Sequence, residues 1–121
     1  MTNLEEQARE TRPAGATPRP HVVDVSGDLD IHHAREVRST LVDAIADAPQ
    51  GAEVLVDLTY SSFCDSFGLE ALLFARQRAV DCGHTLRLGA PSHQLLRLIE
   101  ITHMVDLFAM GPVPPVGRPP A

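Results

Sequence analysis

The run Glu53-Val54-Leu55-Val56-Asp57-Leu58-Thr59 constrains the fold more than any other stretch of the chain. From Val54 to Leu58 it is apolar apart from Asp57. A continuous apolar run of this kind suits a central strand covered on at least one face. Around it the periodicity changes repeatedly. His21 to Gly27 (HVVDVSG) is β-rich and ends at a glycine. From about His32 to Ala48, the residues Ala34, Val37, Leu41, Ala44, Ile45 and Ala48 fall on one face at 3- and 4-residue steps, and Pro49-Gln50-Gly51 breaks the pattern. A second helical pattern runs from near Ser66 to about Asp81, with Leu69, Leu72, Leu73, Ala79 and Val80 expected inward and Cys82-Gly83 closing it. The stretch HTLRLGA (84–90) then reads as a strand, and PSHQLLRLIE (91–100) as a short helix with Ser92 as a candidate cap. MVDLFAM (104–110) makes a last short strand or turn. Strands alternating with helices through short loops predict an α/β domain with a mainly parallel sheet.

A chain of 121 residues holds one such domain. Both ends read as disordered tails. Residues 1–20 carry prolines at 13, 18 and 20, residues 111–121 hold half of the chain's ten prolines, and the folded unit is expected over 21–110. Aromatic residues make up 4% and Trp is absent, so the core must be built from Leu, Val, Ala and Ile. The net charge of −6, with no basic block, argues against nucleic acid and against an anionic membrane surface. The acidic start MTNLEEQARE lacks the apolar stretch of a signal peptide, and a cytoplasmic location is expected. Two cysteines, Cys64 and Cys82, are too few for a disulfide scaffold and are expected as reduced thiols.

Chemistry is sparse. His32 and His33 are adjacent, so on a helix they diverge by about 100° and cannot share a metal; His84, His93 and His103 are scattered. No metal site, cofactor or catalytic residue is expected, and no phosphate-cradling loop is present. Ser66 has Gly68 two places after it, but Cys64 stands where a hydrolase nucleophile elbow requires glycine. Cys64 reads as a small buried hydrophobe rather than a reactive thiol. At the turn into the second helix, Asp65 or Ser66 is expected to cap the first N–H groups. An exposed hydroxyl there is also a good phosphate acceptor.

The segments VSGDLD (25–30), VLVDLTYSSFCDSFGLEALL (54–73) and LRLGAPSHQLLRLIEITHMVDLF (86–108) together resemble a STAS domain, and more narrowly the anti-sigma factor antagonists of bacterial partner-switching systems. The resemblance spans about 90 residues, nearly the whole expected unit. It implies a single small STAS-like α/β domain, with a mixed, mostly parallel sheet of four to five strands and about four helices. It further implies a non-enzymatic regulator that binds an anti-sigma factor serine kinase, a histidine-kinase-like ATPase, and so releases the sigma factor. A phosphatase is a further partner it allows, and the chain would be a monomer or weak dimer. The family's phosphorylated serine falls on Ser66. Its partner-facing residues fall on Gly27, Asp28, Leu29 and Asp30 and on Asp65, Ser66, Phe67 and Gly68, as a neutral-to-acidic docking face. Two departures stand out: Phe67 follows the serine where the family has Ser or Thr, and the region of the family's additional first strand is proline-rich. The alternative is a non-phosphorylated STAS scaffold in a multi-protein complex of the stress-signalling or lipid-transport type.

Overall fold

A computed structural model describes residues 19–113, in which four strands and three helices alternate: β1 (His21–Asp24), α1 (Ala34–Asp47), β2 (Glu53–Asp57), α2 (Ser66–Asp81), β3 (Thr85–Gly89), α3 (His93–Ile101) and β4 (Ala109–Gly111). A single 3₁₀ turn, Val105–Leu107, precedes β4. The expected tails fall almost wholly outside the described residues, as does the proline-rich region where an additional strand was considered. The described sheet has the order β1-β2-β3-β4, and every pairing is parallel rather than mixed.

Parallel neighbours need a crossover, and each of the three is made by a helix. Stepping one strand at a time with a constant hand of crossover lays successive helices on one face of the sheet. One core results, in which Val23, Val54, Val56, Leu86 and Leu88 of the strands meet Leu41 and Ile45 of α1, Leu69 and Leu72 of α2, and Leu95 and Ile99 of α3. Fully burying a side chain of this size contributes about 1.5–3 kcal/mol. The helices α1 and α2 also pack against each other, and Ala71, Ala75 and Ala79 of α2 are all buried. The other face of the sheet is covered differently. Leu55 is fully buried outside this cluster, and the chain beyond β4 brings Val113 over Gly89 beside it.

Asp57, the one charge in the central run, is buried, and its Oδ1 accepts from the Thr59 N–H at 3.0 Å and the Thr59 hydroxyl at 2.5 Å. It therefore ends β2 by turning the chain. The helix ends follow their chemistry as well. Ser92 caps α3 by accepting from the Leu95 N–H at 3.1 Å, and Gly83 follows the end of α2 with φ +83°. One expectation needs correction. Val80, placed inward from its apolar character, is 50% exposed. It stands about 100° around α2 from the buried Ala79, and the inward stripe runs through Leu72, Ala75 and Ala79 instead.

Truncating Leu72, which is fully buried, should cost about 2–5 kcal/mol, whereas Val80→Ala should change stability by no more than about 0.5 kcal/mol. Urea denaturation midpoints of the two variants measure the contrast; a comparable loss at Val80 would contradict the placement of α2.

Candidate functional site

Beyond β1 the chain does not leave the sheet at once. Val25 N–H donates to the Asp57 carbonyl at 3.0 Å, Gly27 N–H to Tyr60 at 3.1 Å and Leu29 N–H to Phe63 at 2.7 Å, and the Asp65 N–H then donates back to the Leu29 carbonyl at 3.0 Å. An isolated parallel bridge between Leu29 and Cys64 belongs to the same run. Gly27 to Asp30 is thereby stitched to the loop that delivers Ser66. Gly27 has φ +83°, a conformation that side chains disfavour, and it lets the chain turn inside this ladder.

Gly68 completes the joint. A Cβ at this position would lie 2.1 Å from the Leu29 carbonyl oxygen and 2.6 Å from the Leu29 Cβ, so only glycine lets α2 rest on the backbone of the preceding turn. Leu29 is itself buried as the apolar plug beneath. The structure thus brings together all eight residues that the sequence singled out, Gly27 to Asp30 and Asp65 to Gly68, on one corner of the domain.

Which residue caps α2 is also resolved. Asp65 Oδ1 accepts from the Phe67 N–H at 2.9 Å and the Gly68 N–H at 3.1 Å. Ser66 is the first helical residue, is exposed, and its hydroxyl takes no part in the cap. Phe67 projects beside it, 45% exposed. Cys64 is buried, its thiol facing the Asp65 carbonyl at 3.4 Å. Burial, with the Asp65 charge adding to it, pushes this thiol up to about 12. Cys64 is therefore a protonated packing residue, as its sequence context suggested. Among the described residues, no group of three or more His, Cys, Asp or Glu is placed to hold a metal ion, and no helix is long and apolar enough to cross a membrane.

Four further residues join the site beyond the eight expected there. His33 Nδ1 lies 2.7 Å from Asp30 Oδ1, which also accepts from the His32 and His33 N–H groups. The i, i+3 spacing of Asp30 and His33 ahead of a helix was a usable signal. Ser62 Oγ reaches Asp28 at 3.5 Å, and Gln94 Oε1 accepts the Cys64 N–H at 3.2 Å; neither has a local sequence cue. Arg35, from α1, lines a groove with Phe67, so cationic as well as acidic side chains adjoin this corner.

Asp30 and His33 move one another's titration in opposite directions. Desolvation pushes the Asp30 carboxyl up, but the His33 hydrogen bond and charge, with the two backbone N–H groups, outweigh it and hold it below 3.8. The Asp30 hydrogen bond and charge raise His33 above 6.5. The stabilisation carried by His33 is complete below 6.5 and is lost as pH rises through its raised value. That carried by Asp30 is present above 3.8 and is lost as pH falls through its lowered value.

The chain has clear relatives. A family model described as Mlab, STAS domain matches residues 14–109. The anti-sigma-B factor antagonist of Bacillus subtilis (strain 168) is 32% identical over 86 residues, covering 71% of this chain and 76% of that protein. Among solved structures, the Bacillus cell fate determinant SpoIIAA in its phosphorylated form superposes with a TM-score of 0.54 at 21% identity, covering 74% of this chain and 80% of that one. A sulfate transporter family protein from Wolinella succinogenes gives 0.63 at 15% identity, covering 93% and 89%.

Two outcomes test the site's construction. Gly68→Ala should lift α2 from Leu29 and cost about 1–3 kcal/mol, the usual range for overpacking, read from denaturant midpoints; an unchanged midpoint would mean the joint is loose. In an NMR titration, the His33 ring should show a midpoint above 6.5 that falls on Asp30→Asn. No response to that substitution would show the pair to be open in solution.

With the ladder, the glycine joint and the exposed serine in place, these matches are decisive at the level of family: the chain belongs to the STAS-domain anti-sigma factor antagonists.

Proposed function

We propose that this chain binds an anti-sigma factor serine kinase, a histidine-kinase-like ATPase, through the corner formed by Gly27–Asp30 and Asp65–Gly68, so that the sigma factor is released. Phosphorylation of Ser66 switches the antagonist off. The chain acts by binding, without an enzymatic step of its own. The observation that carries the reading is the division of labour at the start of α2, where Asp65 supplies the cap and leaves the Ser66 hydroxyl exposed. SpoIIAA, which shares the fold, has been solved both unphosphorylated and phosphorylated.

The physics of the switch is electrostatic. A phosphoserine brings about −1.5 to −2 charge. At the first turn of a helix this charge meets the positive end of the macrodipole, so the fold tolerates it. The surroundings of a docked partner do not. Asp28, Asp30 and Asp65 already stand on this corner, and a dianion added to them must be desolvated when the partner closes over it. Burying an uncompensated charge in an interface is strongly unfavourable.

A second reading, a constitutive STAS scaffold, is favoured by one observation: Phe67 places an exposed ring directly after the acceptor, where it narrows access for a kinase and offers an apolar anchor. The two readings part on one experiment. Ser66→Ala and Ser66→Asp are titrated calorimetrically against a purified histidine-kinase-like serine kinase from the same cell, with mass spectrometry of wild type after incubation with kinase and ATP. The switch predicts phosphate on Ser66, wild-type affinity for Ser66→Ala, and affinity at least about 10-fold weaker for Ser66→Asp, the effect of a mispaired interface charge. Both variants should melt close to wild type, since neither removes the Asp65 cap. No mass shift, with equal binding by both variants, would leave the scaffold.

A further inference from the structure

The seam between α1 and α2 opens into a solvent-exposed groove of about 510 Å³, lined by Ile31, Arg35, Arg38, Val42, Phe67 and Phe74 among others. Apolar side chains stand on it beside charged ones. Ile31 is 54% exposed and Phe67 45%, and Phe74 lines the same groove. Its charge is unusual for this chain. The Arg38 guanidinium stacks 3.8 Å above the centre of the Phe74 ring, and Arg78 stands 5.5 Å from it. The ion pairs of the described residues are His33–Asp30 and Arg87–Glu53, so Arg35, Arg38 and Arg78 face no carboxylate partner. Glu70 is the one acidic residue among those lining the groove. An acidic chain of net charge −6 thus keeps a groove in which apolar side chains lie beside two guanidinium groups, Arg35 and Arg38, that are in no ion pair of the described residues.

Shape and charge together select the occupant. The trough follows two helices, and Phe67 to Phe74 spans about 10 Å along the α2 axis, roughly two helical turns. A small-molecule site encloses most of its ligand, whereas this groove is open along its length. Grooves of this form receive one face of a helix or a short extended segment through apolar anchors. Guanidinium groups held on an aromatic ring present a planar fork of donors suited to carboxylates. A nucleic acid would need a longer track of cations than the two arginines, Arg35 and Arg38, that line this groove.

We propose that the α1–α2 groove is a docking site for a segment of a partner protein that carries apolar side chains flanked by carboxylates. The apolar side chains settle between Ile31, Phe67 and Phe74, and the carboxylates pair with Arg35 and Arg38. The assignment does not depend on phosphorylation of Ser66 or on the partner being a kinase.

The test uses the full ¹⁵N-labelled chain and two short synthetic peptides, one of Leu and Glu and a counterpart with Lys at every Glu. The Leu–Glu peptide should shift the amide signals of Ile31, Arg35, Arg38, Phe67 and Phe74, and bind at least about 10-fold more tightly than its Lys counterpart, an advantage that shrinks with added salt. In Arg35→Glu/Arg38→Glu, checked for an unchanged melting transition, the preference should invert; Arg38→Gln gives the milder test by removing one charge. Three results would overturn the proposal: no shift at the groove, equal binding of both peptides, or groove shifts that track the concentration of the chain alone, which would assign the groove to a second copy. Because no kinase enters this titration, its failure is separable from failure of the Ser66 switch.

Discussion

The corner that carries Ser66 depends on a strand pairing that continues where regular strand geometry has ended. β1 and β2 are paired only to Asp24 and Asp57, yet backbone hydrogen bonds follow from Val25 to Leu29 along the loop up to Asp65. Each such bond contributes modestly, about 0.5–1.5 kcal/mol net. Their effect is geometric: they remove the freedom that a loop of this length would otherwise have. Gly68 then seats the start of α2 on the same backbone. The serine is consequently positioned by main-chain atoms together with the Asp65 cap, and its own side chain takes no part in holding the corner.

Electrostatically the corner is divided. Asp28, Asp30 and Asp65 belong to the serine corner, whereas Arg35 and Arg38 line the groove that shares Phe67 with it. His33 binds Asp30 closely and lowers the net negative charge of the acidic side whenever it is protonated. A surface with both signs and an aromatic ring beside them fixes the orientation of a partner better than a single-sign patch, because a rotated complex places like charges together.

Much of this architecture was legible in the chain. The unbroken run around Val56 identified a central strand, and the helical period over Ala34 to Ile45 identified α1, because burial on defined faces is what those periods report. The eight corner residues were recognisable through the family motif. Local composition could not choose between Asp65 and Ser66 as the cap, since both side chains are competent and only the extended backbone at Asp65 decides. It misplaced Val80, because the apolar character of one residue says less about its direction than the phase of its whole helix. The Gln94–Cys64 bond and the groove were out of reach for a different reason: each joins residues far apart in sequence, and only packing brings them together.

The two thiols of this chain are chemically unequal, and the inequality has a practical use. Cys64 is enclosed and its thiol is held at about 12, far from the reactive thiolate, whereas Cys82 is exposed just past the end of α2. A maleimide dye added to the folded protein at neutral pH would therefore attach at a single place without mutagenesis. That place lies about 24 Å along the helix axis from Ser66, at a rise of about 1.5 Å per residue. A fluorophore there would sit within energy-transfer range of a labelled partner while leaving the serine corner unobstructed. The native chain thus carries its own attachment point for following complex formation in real time.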